Sequence, residues 1–264
     1  NLVPGALVEL NTAIGSVTPL SGTTNSNGQL TATFTSGTVA TTGAILAATG
    51  TISTSTPITL VAGAPTSMNI NAAPNALTAD GVSTSLITVT LVDAFSNPTQ
   101  GQLVNLSTNL GSVNPVTGTT DSQGRINATY RAATTSGIAT VSANSGLLSA
   151  TAQITMNAGQ PTTITLMAQP TSLVASGSST SLVTATLSDG FGNRVPGVDV
   201  NFNTTLGTLA PVSVTTNAQG EAVTTLTSGQ SLGSANLTAS YAALTASATV
   251  NFVAGMPTTV TVQT

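Results

Sequence analysis

An all-β fold of tandem antiparallel sandwiches is the class this sequence predicts, from three observations. Separate motifs recur at one constant offset of 96 residues, short β-branched runs within each period alternate apolar and polar residues, and no segment sustains a helical period.

The repeat comes first because it frames the other elements. Ala62-Gly63-Ala64-Pro65-Thr66 returns as Ala158-Gly159-Gln160-Pro161-Thr162 and as Ala254-Gly255-Met256-Pro257-Thr258. Asp93-Ala94-Phe95-Ser96-Asn97 matches Asp189-Gly190-Phe191-Gly192-Asn193, and Thr119–Gly124 matches both Thr23–Gly28 and Thr215–Gly220. Several motifs at one offset, without insertion or deletion, mark tandem copies of one domain. The copies divide as residues 1–62, a partial repeat without its first strands, then 63–158 and 159–254, and then 255–264, the first strand of a further repeat. Asn1 aligns with Asn97 and Asn193, so the sequence opens inside a repeat, and the stretch equivalent to Ala73–Ser96 is supplied at neither end. Donating the tail of one subunit to the start of another would leave a whole strand missing. A window from a longer array is therefore favoured over strand exchange.

Within the middle copy, Thr84–Val92 reads T-S-L-I-T-V-T-L-V, with Ile87, Val89 and Leu91 alternating against Leu86, Thr88 and Thr90. A period of two in β-branched residues is a strand. Similar runs follow at Gln102–Ser107, Arg125–Ala132, Ile138–Ala143 and Leu147–Met156, parted by turn-favouring Asn, Gly, Pro and Asp clusters. Several short strands per period match an immunoglobulin-like sandwich. Asn27-Gly28, Gln123-Gly124 and Gln219-Gly220 put glycine where a hairpin needs positive φ. Asp121, with Asn25 and Asn217 at the equivalent positions, reads as a side chain bonded to its own turn. Phe95, Phe191, Phe202, Tyr130 and Tyr241 are expected in core or edge packing.

Ala-Gly-x-Pro-Thr is the whole connection between one copy and the next. A connector this short, with proline fixing φ, does not act as a floppy tether. The expectation is a semi-rigid rod of copies stacked end to end, each adding about 40 Å.

Composition narrows the function. Only 4% of the 264 residues are charged, with three Lys or Arg, seven Asp or Glu, no His and no Cys. Arg125, Arg131 and Arg194, in a chain of net charge -4, form no phosphate-binding surface, which excludes a nucleic-acid partner. Thr and Ser interrupt every apolar run well short of the roughly 18 residues a spanning helix needs, so no membrane span is expected. Disorder would need low hydrophobicity and high charge, and this chain has the reverse.

The run Ala79-Asp80-Gly81 through Thr84, then Leu91–Pro98, Gly101–Leu106 and Thr120-Asp121-Ser122-Gln123-Gly124, resembles the bacterial immunoglobulin-like domain, group 1, of the invasin and intimin type of surface protein. The third copy is similar at the same places, with Gly177-Ser178 for the Asp-Gly pair and Asn217 for Asp121. The resemblance covers essentially the whole chain. It implies an immunoglobulin-like sandwich at a secreted or cell-surface location, in a family whose members serve as spacers more often than as binding tips. The near absence of Lys and Glu departs from the commoner family pattern. It leaves little like-charge repulsion to keep two copies of the chain apart.

Chemistry is discounted by inventory. Acid–base and nucleophilic catalysis lean on His, Lys, Cys or paired carboxylates, and here Glu9, Asp80, Asp93, Asp121, Asp189, Asp199 and Glu221 lie scattered, so no enzyme is expected. No cofactor is expected, and no metal, since the thiolate and imidazole ligands are missing and Asp80 and Asp93 sit at opposite ends of one strand. Lysine-based isopeptide links are impossible. Asn105, Asn127, Asn203 and Asn236 open N-x-Ser/Thr sequons and are glycosylation sites in a host with that machinery.

The sequence thus reads as a structural repeat module of an extracellular fibre, sheath or array, its partners copies of itself. The alternative is the stalk or binding region of a bacterial surface adhesin recognising a glycan or protein. Binding surfaces favour Tyr, Trp and Arg, and two Tyr, no Trp and three arginines offer few anchors here. Three tryptic sites predict resistance to trypsin, and seven carboxylates predict a stability nearly flat with pH.

Overall fold

The computed structural model describes residues 1–257 and 259–263. It is all-β among the described residues, and the element order repeats with the sequence. The first copy holds β1 (Leu7–Thr12), β2 (Gly15–Thr18), β3 (Ser21–Thr23), β4 (Thr33–Ser36), β5 (Thr41–Thr49) and β6 (Ile52–Leu60). The middle copy holds β7 (Ser67–Ala73), β8 (Ala76–Thr78), β9 (Thr84–Val92), β10 (Leu103–Thr108), β11 (Ser112–Asn114), β12 (Thr117–Thr119), β13 (Arg125–Arg131), β14 (Gly137–Ser145) and β15 (Leu148–Asn157). The third holds β16 (Thr163–Gln169), β17 (Ser172–Val174), β18 (Thr180–Ser188), β19 (Asp199–Thr204), β20 (Thr208–Ala210), β21 (Ser213–Thr215), β22 (Glu221–Thr227), β23 (Gly233–Tyr241) and β24 (Leu244–Val253).

The third copy shows the architecture in full. One sheet runs β16-β18-β22-β20 and the other β17-β24-β23-β19-β21. All neighbours are antiparallel except β17 and β24, which run parallel. Alternation sends Val183, Ala185 and Leu187 of β18 inward with Ala222 and Leu226 of β22. They meet Val200 and Phe202 of β19, Ala235, Leu237 and Ala239 of β23, and Val250 and Phe252 of β24. A leucine as fully buried as Leu226 or Leu237 contributes about 1.5–3 kcal/mol. The middle copy has the same strand order in both sheets, β11-β13-β9-β7 and β12-β10-β14-β15-β8. In the first copy β3-β1-β5-β6 forms one sheet and β2-β4 the other. Its inward residues on β1 and β5 are mostly half-buried. The described residues from 255 onward, where a first strand is expected, carry no strand. Thr258, the last residue of the third linker motif, lies outside the described residues.

Two compact units divide the chain. The first comprises Asn1–Pro74, Ser85–Tyr130 and Thr140–Gln153, and the second Asn75–Thr84, Arg131–Ala139 and Ile154–Thr264. Each unit therefore contains one complete joint between successive copies.

The hairpin glycines behave as the turn chemistry requires. Gly28, Gly124 and Gly220 have φ of 66°, 68° and 71°. At Gly124 a β-carbon would also press on the Leu91 carbonyl and lie 2.9 Å from the Thr99 nitrogen, so both conformation and space call for glycine.

Candidate functional site

The most organised polar cluster in each unit is the joint. In the first unit the Asp93 carboxylate accepts hydrogen bonds from the backbone nitrogens of Gly63, Phe95 and Asn97, each at 2.9 Å. The Asn97 amide nitrogen donates to Asp93 Oδ2 at 2.9 Å and to the Thr38 carbonyl at 2.8 Å, while its Oδ1 accepts from the Ala40 nitrogen at 2.8 Å. Asp93 thus holds the linker through Gly63, and Asn97 holds the loop between β4 and β5 of the preceding copy. Thr66 completes the seam by donating to the Val92 carbonyl at 2.9 Å.

The second unit repeats these bonds with equivalent partners. Asp189 accepts from Gly159, Phe191 and Asn193, and Asn193 donates to the Thr134 carbonyl at 2.9 Å and accepts from the Ser136 nitrogen at 2.8 Å. All four side chains are buried. The local cause is a tight turn: the Ser96 nitrogen donates to the Asp93 carbonyl, with Ser96 at φ 66°, and Gly192 takes the same place at φ 83°. That turn brings Asn back beside Asp four residues earlier.

The electrostatics follow from these donors. Chiefly through the Asn97 amide, and against the effect of burial, the Asp93 carboxyl is lowered to about 2. For Asp189 burial pushes the other way, and the donors from Asn193, Gly159 and Phe191 outweigh it and hold the carboxyl below its usual range. A carboxylate so supplied with N–H donors is a structural acceptor, with its lone pairs directed at amides. Asp80 is lowered to about 2 as well, by the Ser83 hydroxyl and the Ser83 and Val82 nitrogens. The expected match of the Asp80-Gly81 pair to Gly177-Ser178 is off by one residue: Ser176-Gly177 stands 96 residues on, and the Ser176 hydroxyl fills the role of Asp80 by accepting from the Ser178 and Ser179 nitrogens.

The remaining sequence candidates are dispersed. Asp121 accepts from the Gln123 and Arg125 nitrogens, and Asn25 and Asn217 do the same in their own turns. The sequon residues Asn105 on β10, Asn127 on β13, Asn203 on β19 and Asn236 on β23 are all exposed. Asn203 and Asn236 share the outer face of one sheet, while Asn127 accepts a hydrogen bond from Thr88 at 2.9 Å. Two aromatic expectations need correction: Phe95 is 64% exposed and Phe191 57%, because each occupies the middle of the Asp-to-Asn turn and projects from it. Tyr130 and Phe202 are buried as expected. Among the described residues no group of three or more His, Cys, Asp or Glu gathers as metal ligands would, and no helix is long and apolar enough to cross a membrane.

The Asp-x-Phe-x-Asn motif and the linker motif are both visible in the sequence, but their union is not. Half of the clamp is backbone, supplied by Thr38, Ala40, Thr134 and Ser136, and backbone donors leave no signature in residue type. The usable signal is the return of Asp and Asn at the 96-residue offset in a chain almost without charge.

The family model described as invasin, domain 3, matches residues 64–159 and 160–255. The crystal structure of invasin, a bacterial integrin-binding protein, is similar at 20% identity and a TM-score of 0.58, over 96% of this chain and 54% of that one. InvD from Yersinia pseudotuberculosis is similar at 27% identity and 0.56, over 74% of this chain and 60% of that one. FdeC, an Escherichia coli adhesin, is similar at 22% identity and 0.55, over 96% and 87%. At identities of 20% and 22% the likeness to invasin and FdeC is one of fold. The chain spans about half of the invasin structure and 60% of InvD. No curated protein sequence matches it.

Proposed function

We propose, because this chain belongs to the invasin domain 3 family, that it is a length of extracellular stalk in a bacterial surface adhesin, with its repeats held in fixed series by the Asp/Asn clamp. The observation that carries this reading is the clamp itself. Asp93 with Asn97, and Asp189 with Asn193, spend buried polar side chains on fastening one copy to the next, at both joints and with the same partners. A tether meant to swivel would have no use for such a device. Adhesin relatives at the level of fold support the surface location, and the scarcity of Trp, Tyr and Arg supports a spacer over a binding tip.

A second reading, in which such stalks also associate side by side into a fibre, sheath or array, is favoured by the outer face of the third copy. Asn201, Asn203, Asn236, Thr238, Ser240, Ser247 and Thr249 face outward in register there, with Asp199 as the one charged neighbour on these strands. Hydroxyls and amides hydrate this face without repelling a second copy. The sequons at Asn105, Asn203 and Asn236 would put glycans on such outer faces and block that association.

Immunogold labelling of native cells, followed by electron microscopy, tests both. Isolated projections carrying the label along their length support the stalk. Ordered lateral contacts support the array, and label confined to the cell interior contradicts both.

A further inference from the structure

Each complete copy contains one parallel strand pair, placed where a pull along the chain would load it. In the third copy β17 pairs with β24 in the register Ser172↔Asn251, Leu173↔Phe252 and Val174↔Val253. The Asn251 nitrogen donates to the Thr171 carbonyl and the Ala175 nitrogen to the Val253 carbonyl, both at 2.9 Å. In the middle copy β8 pairs with β15 as Ala76↔Thr155, Leu77↔Met156 and Thr78↔Asn157. The bracketing bonds recur there, from Thr155 to Asn75 at 2.9 Å and from Ala79 to Asn157 at 2.8 Å. Leu77, Met156, Leu173 and Phe252 are all buried, so water does not readily compete for these bonds.

From this we infer that each complete copy is built to bear tension along the chain, with the parallel pair as its load-bearing patch. A pull between the linker and the last strand draws β17 toward its N-terminal end and β24 toward its C-terminal end. Because the strands are parallel, those pulls oppose each other along one axis, and the bonds between them shear and must fail together. An antiparallel pair would bring the pulled ends to the same side and be unzipped bond by bond. The entry to the copy is fastened as well. Gly159 donates to Asp189 and Thr162 to the Ser188 carbonyl, and β16 pairs with β18 along its whole length, from Thr163↔Ser188 to Gln169↔Leu182. Tension therefore reaches β17 only after this outer seam has been loaded. The use of that strength in the cell rests on the stalk reading, whereas the strength itself is a property of the fold.

Single-molecule force spectroscopy on the full chain tests the inference. Handles at the two ends are expected to give two unfolding events, one per complete copy. The native chain has no cysteine, so cysteines introduced at Ser231 and Val253 give a second geometry, which opens the antiparallel β23–β24 pair from its free ends. That geometry is expected to unfold the third copy at a force at least about twofold lower. Ala175→Pro removes one donor of the patch, and it is expected to raise the unfolding rate of the third copy at a given force about tenfold, leaving the other event unchanged. Equal forces in the two geometries overturn the inference, as does an Ala175→Pro chain whose two events both match the native ones. Should Ala175→Pro unfold the third copy outright, the comparison of geometries decides alone. These traces do not depend on cellular location, so a low-force result overturns load bearing while the labelling experiment separately judges the stalk.

Discussion

Asn193→Ala removes the side chain that joins the third copy to the loop at Thr134–Ser136, and its effect can be read at a single amide. Two neutral hydrogen bonds cross that joint, from the Ser136 nitrogen to Asn193 Oδ1 at 2.8 Å and from Asn193 Nδ2 to the Thr134 carbonyl at 2.9 Å. At about 1 kcal/mol each the crossing contribution is about 2 kcal/mol, or roughly a 30-fold change in a local opening equilibrium. Ser136 is only partly buried, and its acceptor is this side chain. Its protection from hydrogen exchange therefore reports the clamp. Native-state exchange followed by NMR should show the Ser136 amide losing protection by roughly 30-fold in the variant. The Ala40 amide, held in the same way by Asn97 at the other joint, should be unchanged and serves as the internal control. Unaltered exchange at Ser136, or equal loss at Ala40 and Ser136, would refute the clamp as described.

Internal repetition supplies further tests. Thr99 carries a buried hydroxyl without a partner where the third copy has buried Val195, so Thr99→Val should stabilise by about 1 kcal/mol in chemical denaturation. Ser228 is in the same position relative to buried Ala132, and Ser228→Ala should add a similar amount. Ser96 sits at φ 66° where the third copy has Gly192, so Ser96→Gly should raise the melting temperature through a relief of about 0.5–1 kcal/mol. Asp80 and Asp93 have folded-state values of about 2 against an ordinary 3.8, so their stabilisation is present well above the ordinary value and is lost progressively as pH falls through it toward 2. Denaturation midpoints should accordingly be level from neutral pH to about 4.5 and fall below that, and a steep loss already by about pH 5.5 would count against these assignments.

What the sequence makes readable is whatever has a period. β9 occupies Thr84–Val92, the bounds its alternation marks, and β10, β13, β14 and β15 lie within two residues of their expected ranges. The three-residue strands β8, β11 and β12 are silent in the sequence because three residues cannot display an alternation. Their pairing is tertiary: Leu77 finds Met156 across nearly eighty residues of chain, and no local preference specifies that meeting. The clamp is half readable. Asp93 and Asn97 return as Asp189 and Asn193, but the groups they hold are main-chain atoms of Thr38-Val39-Ala40 in one joint and Thr134-Thr135-Ser136 in the other, whose side chains need not agree. Phe95 and Phe191 mislead for a related reason. Composition places an aromatic residue inside, and only the turn that closes around Asp93 or Asp189 turns it outward.

The claim that successive copies are locked together by Asp and Asn side chains is tested most directly by a distance distribution across one joint. Spin labels on cysteines introduced at exposed Thr23 and Ser122 lie on either side of the first joint, in a chain with no other thiol. Pulsed electron paramagnetic resonance should return one narrow distribution for the otherwise native chain and a broad one once Asn97→Ala is added. A broad distribution before that substitution, or an equally narrow one after it, would contradict the account.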